Sequence, residues 1–140
     1  MLASARIETT LRRVPLRYFS VWLSIGWLLI VAVLYASLAP STVPTMVPHG
    51  DKMGHFLAYF VLALWFSQLY DSRGRRWWAV AFLTMGVLLE CLQTLTVSRS
   101  FELPDMTANT AGVLSGWALA STVGASFLAR VELWLETKRA

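Results

Sequence analysis

The stretch YFSVWLSIGWLLIVAVLYASLA, residues 18–39, contains no Asp, Glu, Lys, Arg or His. It is as long as the ~20 apolar residues that cross about 30 Å of hydrocarbon at about 1.5 Å per residue. Lipid offers the backbone no hydrogen-bond partners, so such a segment has to be a helix. Arg12, Arg13 and Arg17 precede it and SLAP (37–40) closes it, which raises the possibility of a cleaved leader. The run exceeds the about 7–15 apolar residues of a leader, and Pro40 would fall just after the cut. It therefore reads as a retained helix.

Three more apolar blocks follow, at about 53–70, 77–97 and 106–129. Hydrophobic residues make up 56% of the 140 and charged residues 14%. A soluble domain carries roughly a quarter charged residues. The composition predicts an all-α membrane protein, an antiparallel bundle of four transmembrane helices filling one domain, 18–129. Residues 1–17 form an N-terminal segment and 130–140 a tail. Ile7, Leu11 and Val14 recur at helical spacing opposite arginines, which predicts a brief amphipathic surface helix ending near Pro15.

Charge sets the orientation. The formal net charge is +4, and all Lys and Arg except Lys52 and Arg99 flank the first helix, the 71–76 link or the tail. The positive-inside rule then puts both termini and that link in the cytoplasm, with Trp77, Trp78 and Trp134 as an interfacial belt. The basic balance is thus spent on orientation. No nucleic-acid motif is present, and no nucleic-acid partner is expected. Cys91 is the only cysteine, which excludes an intrachain disulfide and predicts a small packed residue.

Polar residues interrupt the apolar blocks in a pattern. Asp51, His55 and Tyr59 step by four, Glu90 and Gln93 by three, and Asp105, Asn109, Gly112 and Gly116 by four, three and four. Each set is one helical stripe. On the expected topology His55, Gln93 and Asn109 all lie about 6 Å below the outer surface. A charge facing mid-bilayer lipid costs at least ~2.5–3.5 kcal/mol, so the three stripes should face one another. Gly112, Gly116, Ala120 and Gly124 place a small residue every fourth position, a pattern that lets helices approach closely or dimerise.

Three segments together, DKMGHFLAYF (51–60), ECLQ (90–93) and SRSFELPDMTANTAGVLSG (98–116), resemble the VanZ-like family of small bacterial membrane proteins. The matching positions are Asp51, Lys52, His55, Phe56, Tyr59, Glu90, Gln93, Arg99, Asp105, Asn109, Gly112 and Gly116. The resemblance implies four membrane helices, a place in the bacterial inner membrane and a cell-envelope role. Its founding member is linked to resistance to the glycopeptide teicoplanin. No particular reaction is implied.

The candidate ligand-binding set is Asp51, Lys52, His55, Tyr59, Glu90, Gln93, Arg99, Asp105 and Asn109. Lys52 and Arg99 would hold an anionic or lipid-linked head group, Arg99 through its planar fork. They could equally neutralise Asp51, Glu90, Glu102 and Asp105. Glu90 could be a structural ion-pair partner of Lys52, Arg99 or His55, or a site carboxylate. Asp105 could simply favour the start of the fourth helix, and Asn109 and Tyr59 could be packing residues. Asp51, His55, Glu90 and Asp105 offer N and O ligands, but no HxxxH, HExxH or Cys/His spacing is present, so no metal or other cofactor is expected. His49 reads as an exposed loop residue. Ser98 and Ser100 lack a nucleophile context, and no phosphate-binding Gly-rich loop occurs.

Three functions fit. The first is a pocket for a membrane lipid or lipid-linked amphiphile. The second is an enzyme using His55 and Glu90 as acid and base on a lipid-linked envelope substrate. The third is a small structural subunit, in a homo-oligomer or a larger membrane complex.

Overall fold

A computed structural model of the chain describes residues 11–39, 50–95, 102–122 and 127–139. Among these are five α-helices: α1 (Phe19–Leu38), α2 (Gly50–Leu69), α3 (Ser72–Gln93), α4 (Leu103–Thr122) and α5 (Phe127–Thr137). All four long helices overlap the apolar blocks of the sequence.

Among the described helices α1 is by itself long and apolar enough to cross a membrane, with 17% of its apolar window buried, and α4 with α5 passes only if the two are one bent span. A core helix of a soluble protein would be mostly buried. α2, α3 and α4 match it in length, at 20, 22 and 20 residues. Their polar stripes and, in α3, the arginines of the first turn hold down their mean hydropathy.

α2 lies at the centre. It makes its most extensive contact with α4 and touches α1 and α3 as well. Small residues set the distance to α4. A Cβ on Gly112 would collide with the Phe56 carbonyl oxygen, and one on Gly116 would lie 2.5 Å from that of Phe60. Two backbones in direct contact gain dispersion along their length, which is why glycines at this spacing pair helices. Neighbour relations fix the directions. Gln93 reaches Ser37, Trp65 reaches Trp22, and Lys52 reaches Asp105. Hence α1 and α3 run one way, and α2 and α4 the other.

The bundle has two unlike ends. Where α2 meets α3 the interior is aromatic. Phe66 and Phe82 are buried, and Trp78 stacks within 4.1 Å of Phe66 and 5.5 Å of Phe82, centroid to centroid. Trp78 was expected in an interfacial belt. It packs inward instead, because its position on α3 faces Phe66, Tyr70 and Trp27. Trp77 and Trp134 are exposed. The α2–α3 turn is short: Asp71, with extended backbone, caps α3 by accepting a hydrogen bond from the Gly74 N–H at 2.8 Å. That cap starts α3 at Ser72, earlier than the apolar block.

The chain termini depart further from expectation. Residues 11–14 are extended, not helical: Val14 N–H donates to the Leu69 carbonyl at 2.9 Å and Asp71 N–H to the Arg12 carbonyl at 3.0 Å. The turn after α2 has free main-chain groups, and the strand-like segment before Pro15 satisfies them. The fourth apolar block takes in two described helices, α4 up to Thr122 and the start of α5, whose axes lie at 57° to one another, and much of the expected tail is helical.

Glu132 on α5 locks this end. Its carboxylate accepts hydrogen bonds from the Arg17 N–H (2.8 Å), the Tyr18 N–H (2.9 Å) and the Trp22 indole N–H (2.8 Å). Arg17 also pairs with Glu136 at 2.8 Å. Burial pushes the Glu132 carboxyl up, but the Tyr18, Trp22 and Arg17 donors outweigh it and hold it below its ordinary range. Because α1 begins at Phe19, an anion here also meets the positive end of its dipole.

Candidate functional site

The other end of the bundle is polar. Here the first turns of α2 and α4 meet the last turns of α3 and α1. Asp51, Lys52, His55 and Tyr59 come from α2, Glu90 and Gln93 from α3, and Asp105 and Asn109 from α4. Glu102 stands just before α4. Gln93, Glu90, Asp105, Asn109 and Tyr59 are buried, whereas large apolar side chains such as Leu57, Val61, Val87, Leu88, Leu92 and Leu114 are exposed. This end is apolar outside and polar inside, the reverse of a soluble domain.

Asp105 is the hub. Lys52 Nζ donates to its Oδ1 at 3.2 Å and to Glu102 Oε2 at 3.0 Å. The second Asp105 oxygen, Oδ2, lies 3.6 Å from His55 Nε2, and Asp51 Oδ1 is 3.8 Å from the same nitrogen. On the far side of the ring, His55 Nδ1 is 3.1 Å from Asn109 Oδ1. A carboxamide oxygen only accepts, so Nδ1 is the donor. Nε2 is then aimed at two carboxylates, beyond hydrogen-bonding distance of either.

Glu90 lies deeper. It is 1% exposed, and its Oε2 has no hydrogen-bond partner among the described residues. His55, Asp105 and the Glu102 main-chain N–H surround it closely enough to act on its charge, and Tyr59 is near. The Tyr59 hydroxyl is likewise buried and without a partner. Gln93 Nε2 donates to the Ser37 carbonyl at 2.8 Å and ties α3 to the end of α1.

Several expectations change in detail. Lys52 pairs with Glu102 and Asp105, not with Glu90, which has no ion pair among the described residues. As a cation for an anionic group, Lys52 thus meets two carboxylates already in place. Tyr59 is packed in the interior, and its hydroxyl has no hydrogen-bond partner among the described residues. Asp105 lies in the first turn of α4, where its charge favours the helix start, and it also bonds Lys52. Cys91 is exposed, not packed, because its side of α3 faces away from α2 and α4. Arg99, His49, Ser98, Ser100, Gly124 and the Ile7 part of the expected surface helix lie outside the described residues. Sequence reasoning overlooked Ser37, Glu132 and Gln68, whose Oε1 accepts from the Phe127 N–H at 3.1 Å. Ser37 carried no signal, but Leu128 and Glu132, both buried, are four residues apart on one face of α5.

A groove runs along α1 and α2 to this cluster. Its volume is about 600 Å³, with Leu29, Val33, Leu57, Ala58, Val61 and Leu62 along its length and Ser37, Asp51 and His55 at its polar end.

No solved structure gives a significant match to the chain. A relative in the fission yeast Schizosaccharomyces pombe, an uncharacterized protein, is 34% identical over 94 residues. That match covers 64% of this chain, and the chain spans 56% of the relative's length. A eukaryotic relative means that membership by itself carries no bacterial source. The family model VanZ/LLP1 matches residues 4–125, which include every helix of the polar cluster, and the chain belongs to the VanZ/LLP1 family.

Proposed function

We propose that this chain is a multi-pass membrane protein that holds an amphiphile, its acyl or prenyl chain in the α1–α2 groove and its head group at Asp51 and His55. In this reading α1 to α4 cross the cytoplasmic membrane, both termini are cytoplasmic and α5 lies on the inner surface. The amphiphile is a membrane lipid or a lipid-linked envelope intermediate, in keeping with the family's tie to glycopeptide resistance.

The groove carries the reading. An open channel of about 600 Å³ with apolar walls and one polar end has the shape and polarity of a lipid. The polar interior and apolar exterior support burial in a bilayer, where an ionisable cluster marks a functional site by default. Glu90, Gln93 and Asn109 would line the inner wall beneath the head group, with Lys52 and Asp105 beside it.

Native mass spectrometry of the chain released from mild detergent tests this. The wild type should retain a long-chain amphiphile, and Ala32→Trp, which fills the groove from α1, should release it. Equal lipid retention by both proteins would sink the idea. A second reading, acid–base chemistry by His55 and Glu90, draws on the unpartnered Glu90 oxygen. Turnover of the retained lipid, lost in Glu90→Gln, would select it over binding alone.

A further inference from the structure

We propose that Asp51, His55 and Asp105 form a binding site for a divalent transition-metal cation of the zinc or cobalt type. One oxygen of Asp51, Nε2 of His55 and one oxygen of Asp105 all lie within 4.8 Å of one another. Zinc–ligand bonds of about 2.0–2.2 Å at tetrahedral angles put ligand atoms about 3.3–3.5 Å apart. The His55 Nε2 separations of 3.6 Å and 3.8 Å are within a few tenths of an ångström of that spacing.

The histidine is oriented for it. Nδ1 donates to Asn109 Oδ1, so the ring is held with Nε2 facing Asp51 and Asp105. Two carboxylates set on one ring nitrogen call for a positive charge there, supplied by a proton on Nε2 or by a cation bound in its place. A histidine whose outer nitrogen is fixed by a carbonyl oxygen is the usual form of a metal ligand. Lys52 takes Asp105 Oδ1 and leaves Oδ2 for the cation.

A separate observation points the same way. Glu90 is buried, its Oε2 has no hydrogen-bond partner among the described residues, and its carboxyl interacts electrostatically with both Asp105 and His55. Among the described residues four carboxylates, Asp51, Glu90, Glu102 and Asp105, gather around Lys52 and His55. A dication would offset that excess. Three protein ligands would leave a fourth position for another ligand, and Asp51 and His55 also line the polar end of the groove. An anionic head group would bind there as the fourth ligand, which explains how an acid-rich cluster holds an anion. That use rests on the amphiphile reading; the cation site does not.

The test uses the full chain in detergent, stripped by a chelator and titrated with Zn²⁺ by calorimetry and with Co²⁺ by visible absorption. One equivalent of each should bind, with tetrahedral Co²⁺ bands. Asp51→Asn, at an exposed position that leaves folding intact, and His55→Gln should each weaken binding at least about tenfold. Asn109→Ala, a positioning change, should weaken it about 10–100-fold and still bind one equivalent. Glu136→Gln, at the opposite end, should bind as the wild type does. No saturable binding by the wild type, or wild-type affinity in both Asp51→Asn and His55→Gln, overturns the site. Lipid retention is scored separately on Ala32→Trp, so loss of the groove reading and loss of the cation site give different results.

Discussion

Replacing Gly112 by alanine tests how the polar cluster is held together. The added Cβ would land on the Phe56 carbonyl oxygen and 3.0 Å from the Phe60 nitrogen. Both are backbone atoms of α2, so no side chain can swing away. Ordinary carbon contacts sit at about 3.5 Å, and a gap of 0.5–1 Å forfeits a quarter to a half of the dispersion well. α2 and α4 must therefore part by about that much along their main contact. Overpacking of this kind costs about 1–3 kcal/mol, and alanine's better helix propensity returns up to about 1 kcal/mol. The expected net loss is about 1–2 kcal/mol, or roughly 3–6 °C in Tm for a chain of this size. Gly54→Ala is the control, because its Cβ would meet nothing within 4 Å. It should leave Tm unchanged or raise it. Thermal melts of both variants in the same detergent decide the matter. A Gly112→Ala protein that melts with or above the wild type would refute the glycine-contact argument, as would equal shifts in the two variants.

Glu132→Gln should destabilise the chain by about 1.5–3 kcal/mol, since three donors lose a charged acceptor. Its folded carboxyl is held below the ordinary value of 4.5. Its stabilisation is therefore full above that value and is lost as pH falls through the lowered folded range. Melts from pH 7 to pH 3 should show a steeper acid loss for the wild type than for the variant, and parallel curves would count against this. A double-mutant cycle of Lys52→Met with Asp105→Asn should show favourable coupling, and strict additivity would deny the 3.2 Å pair. For topology, in a Cys91→Ser background, Leu103→Cys should react with an impermeant thiol reagent from outside and Arg73→Cys only after the membrane is opened. The reverse pattern would invert the proposed orientation.

The sequence made the helices easy to find because apolar blocks of this length admit little else. The polar cluster was legible for a related reason. Polar residues are costly on the outer face of an apolar helix, so stripes of them on separate helices point at a shared interior. Asp51, His55, Glu90, Asp105 and Asn109 do converge. Pairing within the cluster was not legible. The choice of Lys52 for Glu102 and Asp105 rather than Glu90 depends on the rise between two parallel helices, which Gly112 and Gly116 set. The ends were least legible. Leu11 and Val14 fit a helical pattern, yet the free main-chain groups at Leu69 and Asp71 draw residues 11–14 into an extended segment. A buried Glu132 is legible only once α5 folds back against the start of α1.

The two ends of the bundle are satisfied unequally, and Glu90 shows the consequence. The aromatic end buries Phe66, Phe82 and Leu69, while at the polar end Glu90 Oε2 and the Tyr59 hydroxyl have no partners among the described residues. An unsatisfied buried acceptor costs about 1–3 kcal/mol, more if charged. Replacing a buried ionic group by an apolar one of like volume is often neutral or stabilising. Glu90→Met removes the uncompensated oxygen and gives up the nearby Glu102 N–H. The balance falls between neutral and about 2 kcal/mol more stable. A buried carboxyl with an oxygen left unpartnered among the described residues, at the centre of the polar cluster, points to a use other than stability. Glu90→Met should therefore melt no lower than the wild type and lose retained amphiphile or bound Zn²⁺. A drop of about 3–5 kcal/mol, the cost of breaking a satisfied buried ion pair, would show instead that Glu90 holds the bundle together.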